Sequence, residues 1–299
     1  MMKYWEVTTV RSDWSLNDMT DGGVKMKKIV ADSSSNQYEF SGLPYDYASL
    51  QITVDDRNFV DEEGLDLEEM VDALEHTKKK SSTACPSTGD WLSKFEGADE
   101  IFAITISSKL SGSYESARIA EKEYLEEHPE AKIWVIDSRM TGPGMRMIMD
   151  KINELNDQGC SFEEIKAGVI KYLEKVKLCF LLASVNNLAN AGRLNKLLAK
   201  AIGVLDIKML GRAKEGVIDA FGKFKGQKRA IKETFIEMMN QGYNGGKVRI
   251  DHVLNPADAR TLKGYIVEKF PDADVIIDTC KGLCSYYAER NGYIVGYEV

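Results

Sequence analysis

The chain has 299 residues, 43% hydrophobic and 29% charged, which fits two ordinary globular domains and excludes a disordered polymer. A formal net charge of −8 argues against bulk nucleic-acid binding. No apolar run approaches the ~18 residues needed to span a bilayer, so no integral membrane contact is expected.

The charge is unevenly spread. Residues 190–232 hold eleven Lys/Arg against three Asp/Glu, a local +8 that leaves −16 for the remainder. Such a stretch reads either as a solvated basic face or as a docking surface for an acidic or phosphate-bearing partner. The five cysteines, Cys85, Cys160, Cys179, Cys280 and Cys284, are odd in number and lack disulfide-like spacing. They predict reduced thiols in a cytoplasmic protein. His76, His128 and His252 are scattered, so no metal site is expected.

In chain order, residues 1–26 read as an N-terminal extension. It contains Trp5 and Trp14 but no apolar stretch of the kind a secretory signal needs. Lys28–Ala31 predicts a strand ending in Asp32-Ser33-Ser34-Ser35, and Leu50–Val54 a second strand. Asp66, with Glu69 three residues on as a capping box, predicts a helix. Ile101–Ile106 and Ile133–Ile136 are continuous apolar runs, typical of parallel strands buried on both faces. Ser161 and Glu164 form a capping box that opens a helix to about Val176. Leu178–Val185, Val217–Phe224, Val248–Val253, Val275–Ile277 and Tyr293–Val299 follow as strands, with a helix start at Asn255-Pro256. This alternation predicts an α/β fold with a parallel sheet. The domain change is placed near Gly159, giving domains at 27–158 and 159–299.

Ligands of parallel sheets collect beyond the carboxyl ends of the strands. Two polar turns lie at such places. One is Ser82-Thr83-Ala84-Cys85-Pro86-Ser87-Thr88-Gly89-Asp90, where Ser87 and Asp90 fit a helix cap. The other, Ser107-Ser108-Lys109-Leu110-Ser111-Gly112-Ser113, leaves a strand and enters a helix. Its hydroxyls, free N–H groups and positive helix end suit an anion, and Gly112 admits one close to the backbone. Ordinary N-capping explains either turn equally well.

Together the motifs resemble the DegV family. They are Asp32-Ser33-Ser34, Thr83-x-Cys85-Pro86-Ser87, Leu110-Ser111-Gly112-Ser113-Tyr114, Ile136-Asp137-Ser138 and Ala191-Gly192-Arg193-Leu194, covering about Lys27 to the C-terminus. The resemblance implies a two-domain α/β fold, with an N-terminal Rossmann-like parallel-sheet domain and a second α/β domain covering an acyl tail. It implies a long-chain fatty acid as ligand, no other cofactor, and no catalysis by this chain. It places the carboxylate on Thr83 and Ser111, with Gly112, Ser33 and Ser87 nearby. Some members present the fatty acid to a separate kinase subunit, and Arg193 is the expected docking residue. Ala84 and Cys85 stand where the family usually has Ser-Gln. Asp278-Thr279-Cys280-Lys281-Gly282 stands where many members carry His-x-Gly-Pro-Gly.

Other readings of the residues stay open. Cys85 near a helix start could be the nucleophile of an acyl hydrolase or a thiol carrier. The basic 190–232 stretch could serve a plain interaction protein. Gly222–Gly226 and Asn244–Lys247 lack the spacing of a phosphate loop and read as turns. Met145, Met147 and Met149 read as helix packing, with Met145 as a candidate tunnel residue.

Overall fold

A computed structural model describes residues 25–193 and 207–299. Trp5 and Trp14 of the N-terminal extension, and Leu194 of the Ala191-Gly192-Arg193-Leu194 motif, fall outside these residues.

β1 (Lys27–Asp32) and β2 (Tyr45–Ala48) begin the first sheet. The chain then forms a small antiparallel sheet of β3 (Gln51–Val54), β4 (Arg57–Val60) and β5 (Ser82–Ala84), interrupted by α1 (Leu67–His76). β6 (Glu100–Thr105) and β7 (Lys132–Asp137) return to the first sheet, which is wholly parallel in the order β2-β1-β6-β7. Both faces of this sheet are covered, which is why β1 and β6 read as unbroken apolar runs. Val30, Ile101 and Ala103 point outward against Trp91 and Phe95 of α2 (Thr88–Phe95) and Ala117 and Ala120 of α3 (Ser113–Glu127). Ile29, Phe102 and Ile104 point into the interior of the molecule.

There lie α4 (Pro143–Asp157) and α5 (Phe162–Lys175). Phe162 stacks on Phe102 with ring centroids 4.8 Å apart. Beyond them is a six-stranded sheet of β8 (Val176–Leu182), β9 (Ile207–Lys214), β10 (Val217–Lys225), β11 (Val248–His252), β12 (Val275–Thr279) and β13 (Tyr293–Glu298). Its order is β10-β9-β8-β13-β11-β12. α7 (Gln227–Asn240) and α8 (Pro256–Lys269) cover its outer face, where Cys179 and Leu181 of β8 point. Leu178, Phe180 and Leu182 point inward, the alternation a two-faced strand requires. Two short helices, α6 (Asn186–Asn190) and α9 (Gly282–Ala288), edge the interior.

The second sheet is mixed, with only β11 and β12 parallel. The tight turn Glu215-Gly216, with φ of 51° and 81°, folds β9 onto β10 as a hairpin and so forces antiparallel pairing. The strand expected at Leu50–Val54 belongs to the small antiparallel sheet, because the turn at Asp55 (φ 54°) reverses the chain at once. Asp66 caps α1 by accepting from the Glu69 N–H at 2.9 Å, but no box closes, since the Glu69 carboxylate pairs with Arg57. The boxes at Ser87/Asp90 and Ser161/Glu164 are complete. Gly222 sits at a bulge in β10, Gly226 starts α7, and Gly245 (φ 103°) turns the chain before β11. Met145, Met147 and Met149 are all fully buried on α4, and the Ser34 hydroxyl donates to Met145 Sδ at 3.2 Å. Among the described residues no helix is long and apolar enough to cross a membrane.

Candidate ligand-binding site

A cavity of about 330 Å³ opens between the inner faces of the two sheets. Leu178, Phe180 and Leu182 of β8 and Ile294 of β13 form its floor. Leu50 approaches from the link between β2 and β3, Ile106 and Met140 from the loops after β6 and β7, and Leu188, Leu283 and Ala288 from the short helices. These walls are apolar. The polar groups in the lining are few: Thr83, Ser111, the backbone of Gly112, Arg139, Thr141, Arg193 and Tyr287, with the thiols of Cys85 and Cys284. A large apolar volume with a few polar groups is the usual build of a small-molecule site.

The polar groups are held by the fold. Thr83 is the middle residue of β5, and its Oγ1 lies 3.3 Å from the Tyr287 hydroxyl on α9. Burial pushes the Tyr287 phenol up, an effect opposed by the Thr83 hydrogen bond and by the nearby Arg193 charge. Ser111 sits just before α3, where its hydroxyl accepts from the Ser113 N–H at 3.2 Å. Gly112 caps α3 without a side chain, leaving the helix end open to the cavity. Arg193 donates from Nε to the Leu110 carbonyl at 2.6 Å and from Nη1 to the Ala191 carbonyl at 3.0 Å. Hydroxyls and a guanidinium at one apolar cavity make a place for a carboxylate attached to a hydrocarbon.

Three buried or half-buried carboxylates fix these groups. Asp32, fully buried at the end of β1, accepts from the Ile106 N–H at 2.9 Å and the Ser113 hydroxyl at 2.7 Å, tying the Ser111 turn to the sheet. Burial raises its pKa to about 6, against four hydrogen bonds that lower it. Asp61, also fully buried, accepts from the Tyr38 hydroxyl at 2.6 Å and the Ser33 hydroxyl at 2.8 Å. It also accepts from the N–H groups of Gly282 and Leu283 at 2.6 and 3.0 Å, and so anchors the start of α9. Asp137 accepts from the Ser108 hydroxyl at 2.6 Å and the Arg139 N–H at 2.9 Å, shaping both turns beside the cavity.

The structure thus brings Thr83, Ser111, Gly112 and Arg193 to one cavity. Ser33 and Ser87 do not belong with them. Ser33 is fully buried, its hydroxyl donating to Asp61 and accepting from the Leu50 N–H at 3.0 Å. Ser87 is the cap of α2, engaged with Asp90. Arg193, expected at a docking surface, is exposed yet also lines the cavity. Cys85 is at the rim, close enough that a Cβ on Gly112 would meet its sulfur at 3.3 Å. Among the described residues no histidine shares the lining. Asp278 lies outside it and pairs with Arg146 at 3.1 Å. Met145 is absent from the lining too, whereas Met140 is present. Tyr287 and Arg139 were not legible as site residues. Tyr287 reaches Thr83 only across 204 positions of chain, and no local pattern marks that approach.

The match to the DegV family, described as uncharacterised proteins, runs over residues 26–294, and the chain belongs to that family. A DegV domain-containing protein of Streptococcus pneumoniae is 40% identical over 277 residues, covering 91% of this chain and 99% of the relative. The fold is that of solved relatives. The Fatty Acid Kinase (Fak) B3 protein of Streptococcus pneumoniae, crystallised loaded with linoleic acid, matches with a TM-score of 0.89 at 40% identity, covering 92% of this chain and 99% of that one. A DegV family protein from Eubacterium eligens, loaded with heptadecanoic acid, matches with a TM-score of 0.88 at 41% identity, covering 91% and 99%.

Proposed function

We propose that this chain binds one long-chain fatty acid, with the carboxylate on Thr83 and Ser111 and the tail along the apolar floor of the cavity. The observation that carries the reading is the meeting of Thr83, Ser111, Gly112 and Arg193 at a single apolar cavity between the sheets. Burying a tail of ~16 carbons at roughly 0.8 kcal/mol per methylene is a large driving force even after ordering costs. The relatives loaded with linoleic and heptadecanoic acids support the same ligand class. Organic extraction of the purified protein followed by mass spectrometry is expected to recover about one fatty acid per chain. No recovered fatty acid, together with no uptake of added oleic acid, defeats the reading.

The chain itself does no chemistry on the ligand and presents the carboxylate to a separate ATP-using kinase subunit. The likeness to a Fak B3 protein supports such a partner. Arg193 stands at the rim, where it can meet both the carboxylate and an incoming subunit. With a fatty-acid kinase catalytic subunit and ATP, Arg193→Ala is expected to abolish acyl-phosphate formation, while lipid content falls less than in Thr83→Val and the melting temperature stays near wild type. Lost lipid content would make Arg193 purely a ligand residue, and normal turnover would make it a surface charge.

A further inference from the structure

Phe180 faces the cavity from the middle of β8, between Leu178 and Leu182. Its cross-strand partner on β9 is Gly211, and on its other side is Ile294 of β13. The ring leans toward the glycine. A Cβ built on Gly211 would overlap the Cε2 and Cζ atoms of Phe180. The backbone of Gly211 is not in the left-handed region, so its conformation does not demand glycine. What demands it is the ring lying across β9.

We propose that Phe180 and Gly211 together determine which acyl chains this cavity accepts. The inference rests on the fatty-acid reading and names the residues that set its selectivity. With Gly211 in place, the ring reclines over β9 and leaves the space above the floor to the ligand. A side chain at position 211 removes the recess. It cannot yield to the other side, because the Asp219 carbonyl already lies 3.2 Å from the new Cβ. The ring must therefore stand up into a cavity of only about 330 Å³. Close packing makes even one methylene count in such a site.

The test compares the wild type with Gly211→Ala, Phe180→Leu and the double variant. Affinities for lauric, palmitic, arachidic and linoleic acids are read by displacement of a fluorescent fatty acid. Gly211→Ala is expected to shift the lauric-to-arachidic affinity ratio toward lauric acid by roughly tenfold or more. Phe180→Leu is expected to shift it the opposite way, and to restore arachidic and linoleic binding in the Gly211→Ala background. That rescue distinguishes a displaced ring from a disturbed strand pair, which a smaller residue at 180 would not repair. If Gly211→Ala does not fold, Phe180→Leu alone decides. Ratios unchanged in Phe180→Leu, or no rescue in the double variant, overturn the inference while wild-type binding leaves the fatty-acid reading standing. A wild type that takes up none of the four acids overturns both.

Discussion

At the scale of single residues, the site separates groups that face the cavity from groups that only hold those groups in place. Thr83 and Ser111 each offer one hydroxyl to the cavity. Thr83→Val and Ser111→Ala are expected to weaken oleic acid binding by roughly 1.5–3 kcal/mol each, the worth of a hydrogen bond to a charged acceptor. Together they should cost less than the sum, because both act on one carboxylate. Titration calorimetry checks this, and unchanged affinity in both single variants would move the head group elsewhere. The resemblance to the DegV family singled out these two positions, and the structure sets Thr83 in the edge strand β5 and Ser111 in the turn before α3, both at the cavity. The same reasoning misplaced Ser33 and Ser87, because a serine that caps a helix or satisfies a buried carboxylate looks the same in sequence as one that meets a ligand. Asp251 shows what is not legible at all. It is fully buried, with one oxygen accepting from Asn36 Nδ2 at 2.6 Å and the other without a hydrogen-bond partner among the described residues. Burial is the largest cause raising its pKa to about 7, with the Asp278 charge adding and Asn36, Arg146 and Lys281 opposing. The folded state therefore holds this proton more tightly than the unfolded chain. Its contribution to stability is present below about pH 4 and is lost as pH rises through about 7. Asp251→Asn is expected to flatten that fall, by an amount on the order of a few kcal/mol, in urea midpoints measured from pH 4 to 8. An unaltered slope would show that Asp251 does not titrate in this window.

At the scale of elements, strong periodicity and caps were readable, while short strands were not. β1, β6 and β7 stand out because burial on both faces demands apolar side chains along their middles, Ile29–Ala31, Ile101–Ile104 and Ile133–Ile136. β5 is three residues long and β2 four, with mixed polarity, so their pairing comes from the sheet beside them rather than from their own residues. α9 is a similar case. It has only seven residues and lacks a side-chain cap of its own. Its start is fixed from 221 positions away by Asp61, which takes the N–H groups of Gly282 and Leu283. That carboxylate decides where Tyr287 stands, and hence whether its hydroxyl reaches Thr83. Asp61→Ala leaves two backbone donors and the Tyr38 hydroxyl buried without this acceptor. It is expected to lower stability by about 2–4 kcal/mol and to weaken fatty-acid retention together. Asp61→Asn keeps an acceptor and should lose less of both. If Asp61→Ala retained wild-type lipid content after dialysis against fatty-acid-free albumin, α9 would not position the site.

At the scale of the whole molecule, the site exists only because two sheets face each other. Each half alone would offer one wall. The sequence announced a parallel first sheet through its buried strands, but the facing of the sheets follows from long-range contacts that no local pattern encodes. One such contact bridges the two halves beside the cavity. The tip of the β9–β10 hairpin reaches the first sheet, where the Ser107 hydroxyl donates to the Gly216 carbonyl at 2.6 Å. Gly216 lines the cavity at this tip and has a φ of 81°, which disfavours any side chain. A Cβ there would also meet the Ser107 oxygen at 2.7 Å. Gly216→Ala therefore strains the turn and lifts the tip from its seat, whereas Ser107→Ala removes the hydrogen bond to Gly216 and the longer one from the Lys109 N–H, each worth roughly 0.5–1.5 kcal/mol, without a clash. If bound fatty acid leaves past this tip, release should quicken in the order wild type, Ser107→Ala, Gly216→Ala. Transfer of a fluorescent fatty acid from the protein to phosphatidylcholine vesicles reads that rate directly. Affinity loss from Thr83→Val, by contrast, should not depend on the hairpin, so its effect on release should multiply with that of Gly216→Ala rather than be masked by it. Equal release rates in all three proteins would place the exit on another side of the cavity and leave the Ser107–Gly216 contact as a structural tie between the sheets.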